Sequence, residues 1–280
     1  METILQTIAD YARVRVARDK ERLSPEALKE QCKMLQGAGR HGFRGTDGQS
    51  AQGTAGQPFL AALKKPGVSF ICEVKKASPS KGVIAEEFPY VEIAREYEDA
   101  GADCISCLTE PKWFLGSDEI FGEIRGQVTV PMLRKDFVVD EYQIYQAKVM
   151  GADAVLLICA LLDGETIARY LGICKELGLV ALVETHDEKE IRDAVLAGAE
   201  IIGVNNRNLK DFTVDIENSS RLRELVPPEV VFVAESGIRT PEDVAVLRRQ
   251  GVDAVLVGET LMRARDKREA LRRLRGEEAG

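Results

Sequence analysis

Gly151-Ala-Asp-Ala-Val-Leu-Leu-Ile158 carries the pattern that decides the architecture. A glycine ends an amphipathic run, an acid follows, and a short, wholly apolar stretch begins at once. The pattern recurs as Gly101-Ala-Asp103 before Cys104–Leu108, Gly198-Ala-Glu200 before Ile201–Val204, and Gly251-Val-Asp253 before Ala254–Val257. Glycine stops a helix because it enters the left-handed region without a steric cost. An all-apolar strand is what a parallel sheet buried on both faces requires.

Filling in the intervening units places strands near 69–75, 103–108, 129–134, 154–158, 179–184, 201–205, 230–234 and 254–258. Helical patterns separate them at roughly 21–34 residue intervals, the spacing of βα units. Eight such units imply an α/β fold closed as a (β/α)8 TIM barrel, with a doubly wound open sheet as the alternative. The acids of the Gly-x-Asp turns precede their strands. They belong to the stability face and read as turn and cap residues.

An extra helical segment precedes the barrel. Ile4, Leu5, Ile8 and Tyr11 form a helical stripe running toward Arg22. Ser24-Pro25-Glu26 then supplies an N-cap, a first-turn proline and an acid suited to the helix dipole, opening a second helix to about Leu35. Gly37 to Gln57 is rich in Gly, Gln, Ser and Thr and reads as a flexible loop. The expected organisation is residues 1–57 as helical extension and loop, and 58–280 as the barrel.

The bulk numbers exclude several function classes. The 280 residues are 45% apolar and 30% charged, with 38 basic against 46 acidic side chains for a net charge of −8. No basic stripe with interleaved aromatics points to nucleic acid. No apolar stretch approaches the ~18 residues of a membrane span. The start, Met-Glu-Thr-Ile-Leu-Gln, lacks a basic region followed by an apolar run, so the cytoplasm is the expected location. Six cysteines lie mostly in apolar runs. Cys104 and Cys107 have metal-like spacing, but three residues apart on a strand they face opposite ways, and no metal site is expected.

Function is sought where barrel strands end, at their carboxyl termini. Ile71-Cys-Glu-Val-Lys-Lys-Ala-Ser-Pro-Ser-Lys-Gly82 places Glu73 and Lys75 on one strand face, roughly 6.6 Å apart along the chain at ~3.3 Å per residue. An acid and a base there are costly to bury without a task. Ser78 and Ser80 follow on the loop. The third strand ends in Lys135, the fifth in Glu184, the sixth in Asn205, Asn206 and Arg207, the seventh in Glu235, Ser236 and Gly237, and the eighth in Gly258 and Glu259. Glycines before new helices at the last two exits suit a phosphate. Two lysines with two glutamates suggest acid–base work on a phosphorylated small molecule without metal or redox cofactor. A lysine near like charge or apolar walls has its pKa lowered, which favours proton donation. A Schiff-base lysine, as in aldolases, is the alternative at Lys135.

Together these residues resemble the indole-3-glycerol-phosphate synthase family of tryptophan biosynthesis, over essentially the whole chain. The motifs are Glu-Val-Lys-Lys-Ala-Ser-Pro-Ser-Lys-Gly (73–82), Trp-Phe-Leu-Gly-Ser (113–117), Leu-Arg-Lys-Asp-Phe (133–137), Leu-Val-Glu (182–184), Gly-Val-Asn-Asn-Arg-Asn-Leu (203–209) and Ala-Glu-Ser-Gly-Ile (234–238). The resemblance implies a carboxy-lyase that converts 1-(2-carboxyphenylamino)-1-deoxyribulose 5-phosphate to indole-3-glycerol phosphate, losing CO2 and water. It implies Lys135 as the acid on the substrate ketone, with Glu73, Lys75 and Glu184 sharing the dehydration. Asn205 would orient ribulose hydroxyls. Ser78, Ser80, Ser236, Gly237, Gly258 and Glu259 (through its backbone N–H) would surround the phosphate, with Arg207 nearby, and Phe114 would pack on the anthranilate ring. Other tryptophan-pathway enzymes are the candidate protein partners. Three features depart from the family pattern. Cys72 stands in place of a small residue, Glu259 in place of a serine, and the 37–57 loop is longer and more polar.

Overall fold

The computed structural model describes residues 3–37, 57–208 and 212–277. The glycine-rich stretch expected to be a flexible loop falls almost entirely on 38–56, outside the described residues. Helices α1 (Ile4–Arg22), α2 (Pro25–Gly37) and α3 (Pro58–Leu63) precede the first strand, β1 (Ser69–Val74). A small antiparallel hairpin follows, β2 (Ala77–Ser78) with β3 (Gly82–Val83). The chain then alternates through α4 (Tyr90–Asp99), β4 (Cys104–Leu108), α5 (Asp118–Arg125), β5 (Met132–Lys135), α6 (Tyr142–Val149), β6 (Ala154–Ile158), α7 (Gly164–Leu177) and β7 (Val180–Thr185). It finishes with α8 (Glu188–Ala197), β8 (Ile201–Asn205), α9 (Glu217–Arg223), β9 (Val231–Glu235), α10 (Pro241–Arg249), β10 (Ala254–Val257), α11 (Glu259–Arg263) and α12 (Lys267–Arg275).

β1 and β4 to β10 pair in parallel order, and β10 returns to β1 through Ser69↔Ala254 to Cys72↔Val257. The sheet is therefore a closed eight-stranded barrel, not an open doubly wound sheet. Strand alternation sorts its side chains into two cores. Ile71, Leu133, Leu156, Leu182, Ile201, Val233 and Leu256 fill the inside, and α3 plugs that core with Phe59, Leu60 and Leu63. Phe70, Cys72, Val155, Val183, Ile202, Phe232 and Val255 face the surrounding helices. Cys104 lies in the inner core and Cys107 in the outer, as their spacing on one strand requires.

The repeated turn acids do more than end a turn. Asp103 accepts the Phe70 N–H at 2.9 Å, Asp153 that of Met132 at 3.0 Å, and Asp253 that of Phe232 at 2.8 Å. Each thus binds an N–H of a neighbouring strand on the face away from the strand ends. The glycines before them (Gly101, Gly151, Gly198, Gly251) have φ between 77° and 87°, the left-handed region that a β-carbon disfavours.

The N-terminal helices form as the sequence predicts. Ser24 Oγ accepts the Ala27 N–H at 3.2 Å, capping α2. Helix α1 buries Leu5, Ile8, Ala12 and Val16, and its Arg15 reaches the barrel as a bidentate partner of Asp136 at 2.7 and 3.1 Å. No helix among the described residues is long and apolar enough to cross a membrane.

Candidate active site

Followed toward their carboxyl ends, five inward rows change from apolar to polar at their last position. Ile71 is succeeded by Glu73 and Lys75, Leu133 by Lys135, Leu182 by Glu184, Ile201 and Gly203 by Asn205, and Val233 by Glu235. Period-two alternation aims all of them into one space. That space is a cavity of about 400 Å³. All thirteen residues expected from the sequence line it: Glu73, Lys75, Ser78, Ser80, Phe114, Lys135, Glu184, Asn205, Arg207, Ser236, Gly237, Gly258 and Glu259. Ile4, Leu5 and Ile8 of α1 close one side.

The floor is a charged network. Lys135 Nζ lies 3.6 Å from Glu73 Oε2 and 3.7 Å from Glu235 Oε2, and Lys75 pairs with Glu73 Oε1. Burial works against the charge on Lys135, but Glu73, Glu235 and Glu184 more than offset it and hold its pKa above the ordinary lysine value. The lowered lysine pKa expected from the sequence is therefore not found, because acids surround the ammonium where like charge or apolar walls were anticipated. Glu73 is also buried, yet Lys75 and Lys135 hold its pKa below the usual carboxylate range.

Glu235 is different. It is 2% exposed, and its Oε1 has no hydrogen-bond partner among the described residues. Three buried carboxylates (Glu73, Glu184, Glu235) face two lysines, so one carboxylate is cheapest to keep neutral. Burial, reinforced by Glu184, pushes the Glu235 carboxyl up to about 8. Glu184 accepts from Asn205 Nδ2 at 3.2 Å and lies 3.4 Å from His186 Nε2. His186 is in turn 3.1 Å from Glu190. Burial opposes the imidazolium, but Glu190 and Glu184 raise the His186 pKa overall.

The upper rim has a different character. Ser236 and Gly237 both have positive φ, 67° and 85°. Asn206, read from the sequence as a strand-end group, is buried. It donates to the Ser236 carbonyl at 3.2 Å and accepts from Ser219, so it shapes this turn. Gly258 serves the floor as well as the rim, since a β-carbon there would lie 2.2 Å from Glu73 Oε1. Helix α11 has only five residues, Glu259–Arg263. The Glu259 side chain, standing where a serine was expected, faces cations, 3.8 Å from Lys81, 4.0 Å from Arg207 and 3.1 Å from Arg263.

Aromatic placement separates two neighbours. Phe114 lines the cavity with its ring 5.9 Å from that of Phe137, while Trp113 packs edge-on against Tyr11 of α1 at 5.5 Å. Their loop is pinned by Glu110, whose carboxylate accepts the N–H groups of Lys112, Trp113 and Phe114.

Sequence reasoning passed over four positions. Glu235 was visible as a strand end but drew no role beside Ser236 and Gly237. Gly203 was quoted in a motif, yet its contribution is the space beside Glu235. Asp136 and Arg15 meet across 121 residues, and the signal that could have found them is Arg15 falling in line with the apolar stripe of α1, four residues after Tyr11.

Comparisons with known proteins point to one family. The family model described as indole-3-glycerol phosphate synthase matches residues 11–274. A protein of that name from Lachnoclostridium phytofermentans is 49% identical over 273 residues, covering 97% of this chain and 98% of the relative. Another, from Ruminiclostridium cellulolyticum, is 59% identical over 218 residues, 78% of this chain and 84% of the relative. Among solved structures, thiamine phosphate pyrophosphorylase from Pyrococcus furiosus superposes with a TM-score of 0.57 at 21% identity, over 78% of this chain and 96% of that one, a likeness of fold alone. With this barrel, this cavity and these relatives, the chain belongs to the indole-3-glycerol phosphate synthase family.

Proposed function

We propose that the groups at the strand ends divide between them the chemistry of the family reaction, in which 1-(2-carboxyphenylamino)-1-deoxyribulose 5-phosphate closes to indole-3-glycerol phosphate with loss of CO2 and water. The observation that carries this reading is Lys135, an ammonium held between Glu73 and Glu235 in the cavity. As the aryl carbon attacks the ketone, negative charge grows on the ketone oxygen. A developing alkoxide is far more basic than an amine, so a lysine with a raised pKa still protonates it. The same charge argues against a Schiff base, which requires a neutral amine to attack.

Loss of CO2 then restores aromaticity to the ring. For dehydration, the departing hydroxyl needs an acid and the ring-side proton a base. Glu73 is clamped by two lysines, which weakens it as a base, whereas Glu184 faces Asn205 and His186. The base role therefore falls on Glu184 and the acid role on Lys75, which also faces the substrate carboxylate. Asn205 orients ribulose hydroxyls, Phe114 packs on the anthranilate ring, and Ser78, Ser80, Arg207, Ser236, Gly237, Gly258 and the Glu259 N–H surround the phosphate.

Ahead of the barrel of 58–280, the N-terminal extension contributes α1, which closes one side of the cavity, and the protein works in the cytoplasm on a small phosphorylated substrate. Other enzymes of tryptophan synthesis are the partners to test. The direct experiment adds the carboxyphenylamino substrate to purified protein and follows indole fluorescence. Borohydride trapping of substrate on Lys135 would instead support aldolase chemistry.

A further inference from the structure

We infer that the Glu259 carboxylate is a resident anion of the phosphate mouth, occupying cations that an arriving phosphate must take from it. The inference rests on the phosphate reading proposed above for Ser236, Gly237, Gly258 and Arg207. Three cations from three separate segments converge on this one side chain. Lys81 comes from the hairpin after β1, Arg207 from the exit of β8, and Arg263 from the end of α11.

The three contacts are unequal, and the inequality suggests how exchange occurs. Arg263 is hydrogen-bonded to Oε1 at 3.1 Å and sits one turn along the same helix. Lys81 and Arg207 stand off at 3.8 and 4.0 Å, beyond hydrogen-bond reach. A phosphate entering beside Gly258 meets Glu259 as like charge. It draws Lys81 and Arg207 onto its own oxygens, and Glu259 stays parked on Arg263. Arginine suits this transfer because its planar fork matches phosphate as readily as carboxylate.

The consequence is a weaker hold on free anions. An anion held only by its charge must displace an equivalent charge already in place, so weak anions are disfavoured. The full substrate adds contacts on the cavity floor and overcomes the competition. Glu259 thus sets how tightly the mouth holds an anion that has no other contact.

The test measures inorganic phosphate binding to the full chain by calorimetry at constant ionic strength, for the unsubstituted protein, Glu259→Gln and Arg207→Met. Because like charges placed together cost affinity, Glu259→Gln is expected to bind phosphate on the order of tenfold more tightly. Glu259→Ser, which also removes the charge, is expected to move the same way and guards against a folding defect in one variant. Phosphate affinity in both variants equal to or below that of the unsubstituted protein, including no binding by any of them, overturns the inference. Arg207→Met addresses the underlying site. Weaker phosphate binding there, with no gain in the Glu259 variants, leaves the phosphate site intact and removes only the role of Glu259. Unchanged affinity in Arg207→Met removes the site reading itself.

Discussion

A β-carbon on Gly203 would lie 2.3 Å from Glu235 Oε1, so the glycine of β8 is the space in which the β9 carboxylate sits. Neither group can shift freely, because Gly203 pairs with Val233 in the barrel and Glu235 is 2% exposed. Gly203→Ala is expected to push Glu235 off its contact with Lys135 and to lower kcat by about ten- to a hundredfold, since a small displacement of a positioned group is enough to do so. Steady-state kinetics alongside a melting curve checks this. A folded Gly203→Ala protein with unchanged kcat would show that the Glu235 position does not matter to turnover.

Lys135→Ala is expected to lower kcat by ~10²-fold or more, as for other general acids, with the circular dichroism spectrum retained. The fold should survive because the substitution leaves Glu73 still paired with Lys75. Near-normal turnover would refute the assignment of Lys135 as the acid.

Much of this site is legible in the sequence, and the reason is geometric. Glu73, Lys135, Glu184 and Asn205 each continue an alternating row whose earlier members are apolar, so strand periodicity alone aims them inward. The Gly-x-Asp repeat located four strands directly, because a glycine stop and a buried parallel strand leave a strong mark together. What stayed hidden depends on contacts between distant segments. Arg15 and Asp136 are 121 residues apart, and nothing local in either segment names the other. The Gly203–Glu235 relation was invisible because a missing side chain leaves no pattern. The raised pKa of Lys135 required knowing that three acids converge on it, which the order of residues along the chain does not state.

Glu235 makes stability depend on pH. Its carboxyl is pushed up to about 8 in the folded protein by burial and by Glu184, against an unfolded value near ~4.3. The folded state therefore holds this proton more tightly than the unfolded chain. The contribution is fully present below pH ~4.3 and declines as pH rises toward 8. Glu235→Gln keeps the shape and removes the titration. Its melting temperature relative to the unsubstituted protein is expected to rise steadily between pH 5 and 8. A difference that stays flat across that range would rule out a buried proton on Glu235.

Ser236 is expected to act through binding. A phosphate handle contributes mostly uniform binding energy, so losing its hydroxyl raises KM more than it lowers kcat. Its φ of 67° makes Ser236→Gly the better variant, since glycine accepts that backbone without strain whereas alanine does not. Comparing KM for the two variants separates hydroxyl from backbone. An unchanged KM in Ser236→Gly would remove the hydroxyl from the phosphate site.

Arg15 and Asp136 tie the N-terminal helix to the barrel next to Lys135. Asp136 is 1% exposed and accepts from Arg15 twice, from Thr109 at 2.8 Å and from the Phe137 N–H at 2.8 Å. Burial alone would raise its pKa, but Arg15, Arg134 and Thr109 more than offset this and hold it below the usual aspartate value. A depressed folded pKa contributes stability above the unfolded value of ~3.9, and that stability is lost as pH falls through the lower folded value. Arg15→Met takes away the closest cation and leaves the buried carboxylate with Arg134 at 3.8 Å, Thr109 and the Phe137 N–H, and is expected to cost on the order of 2 kcal/mol near neutral pH. Asp136 then takes a proton at higher pH than before, so the stability gap between the two proteins should narrow as the solution is acidified from pH 7 toward 4. Urea unfolding at several pH values measures the gap. Arg15→Met combined with Asp136→Asn, which removes the buried charge, is expected to recover part of the loss at pH 7. A gap that does not vary with pH, with no recovery in the double variant, would mean that α1 is held by its apolar face and not by this pair.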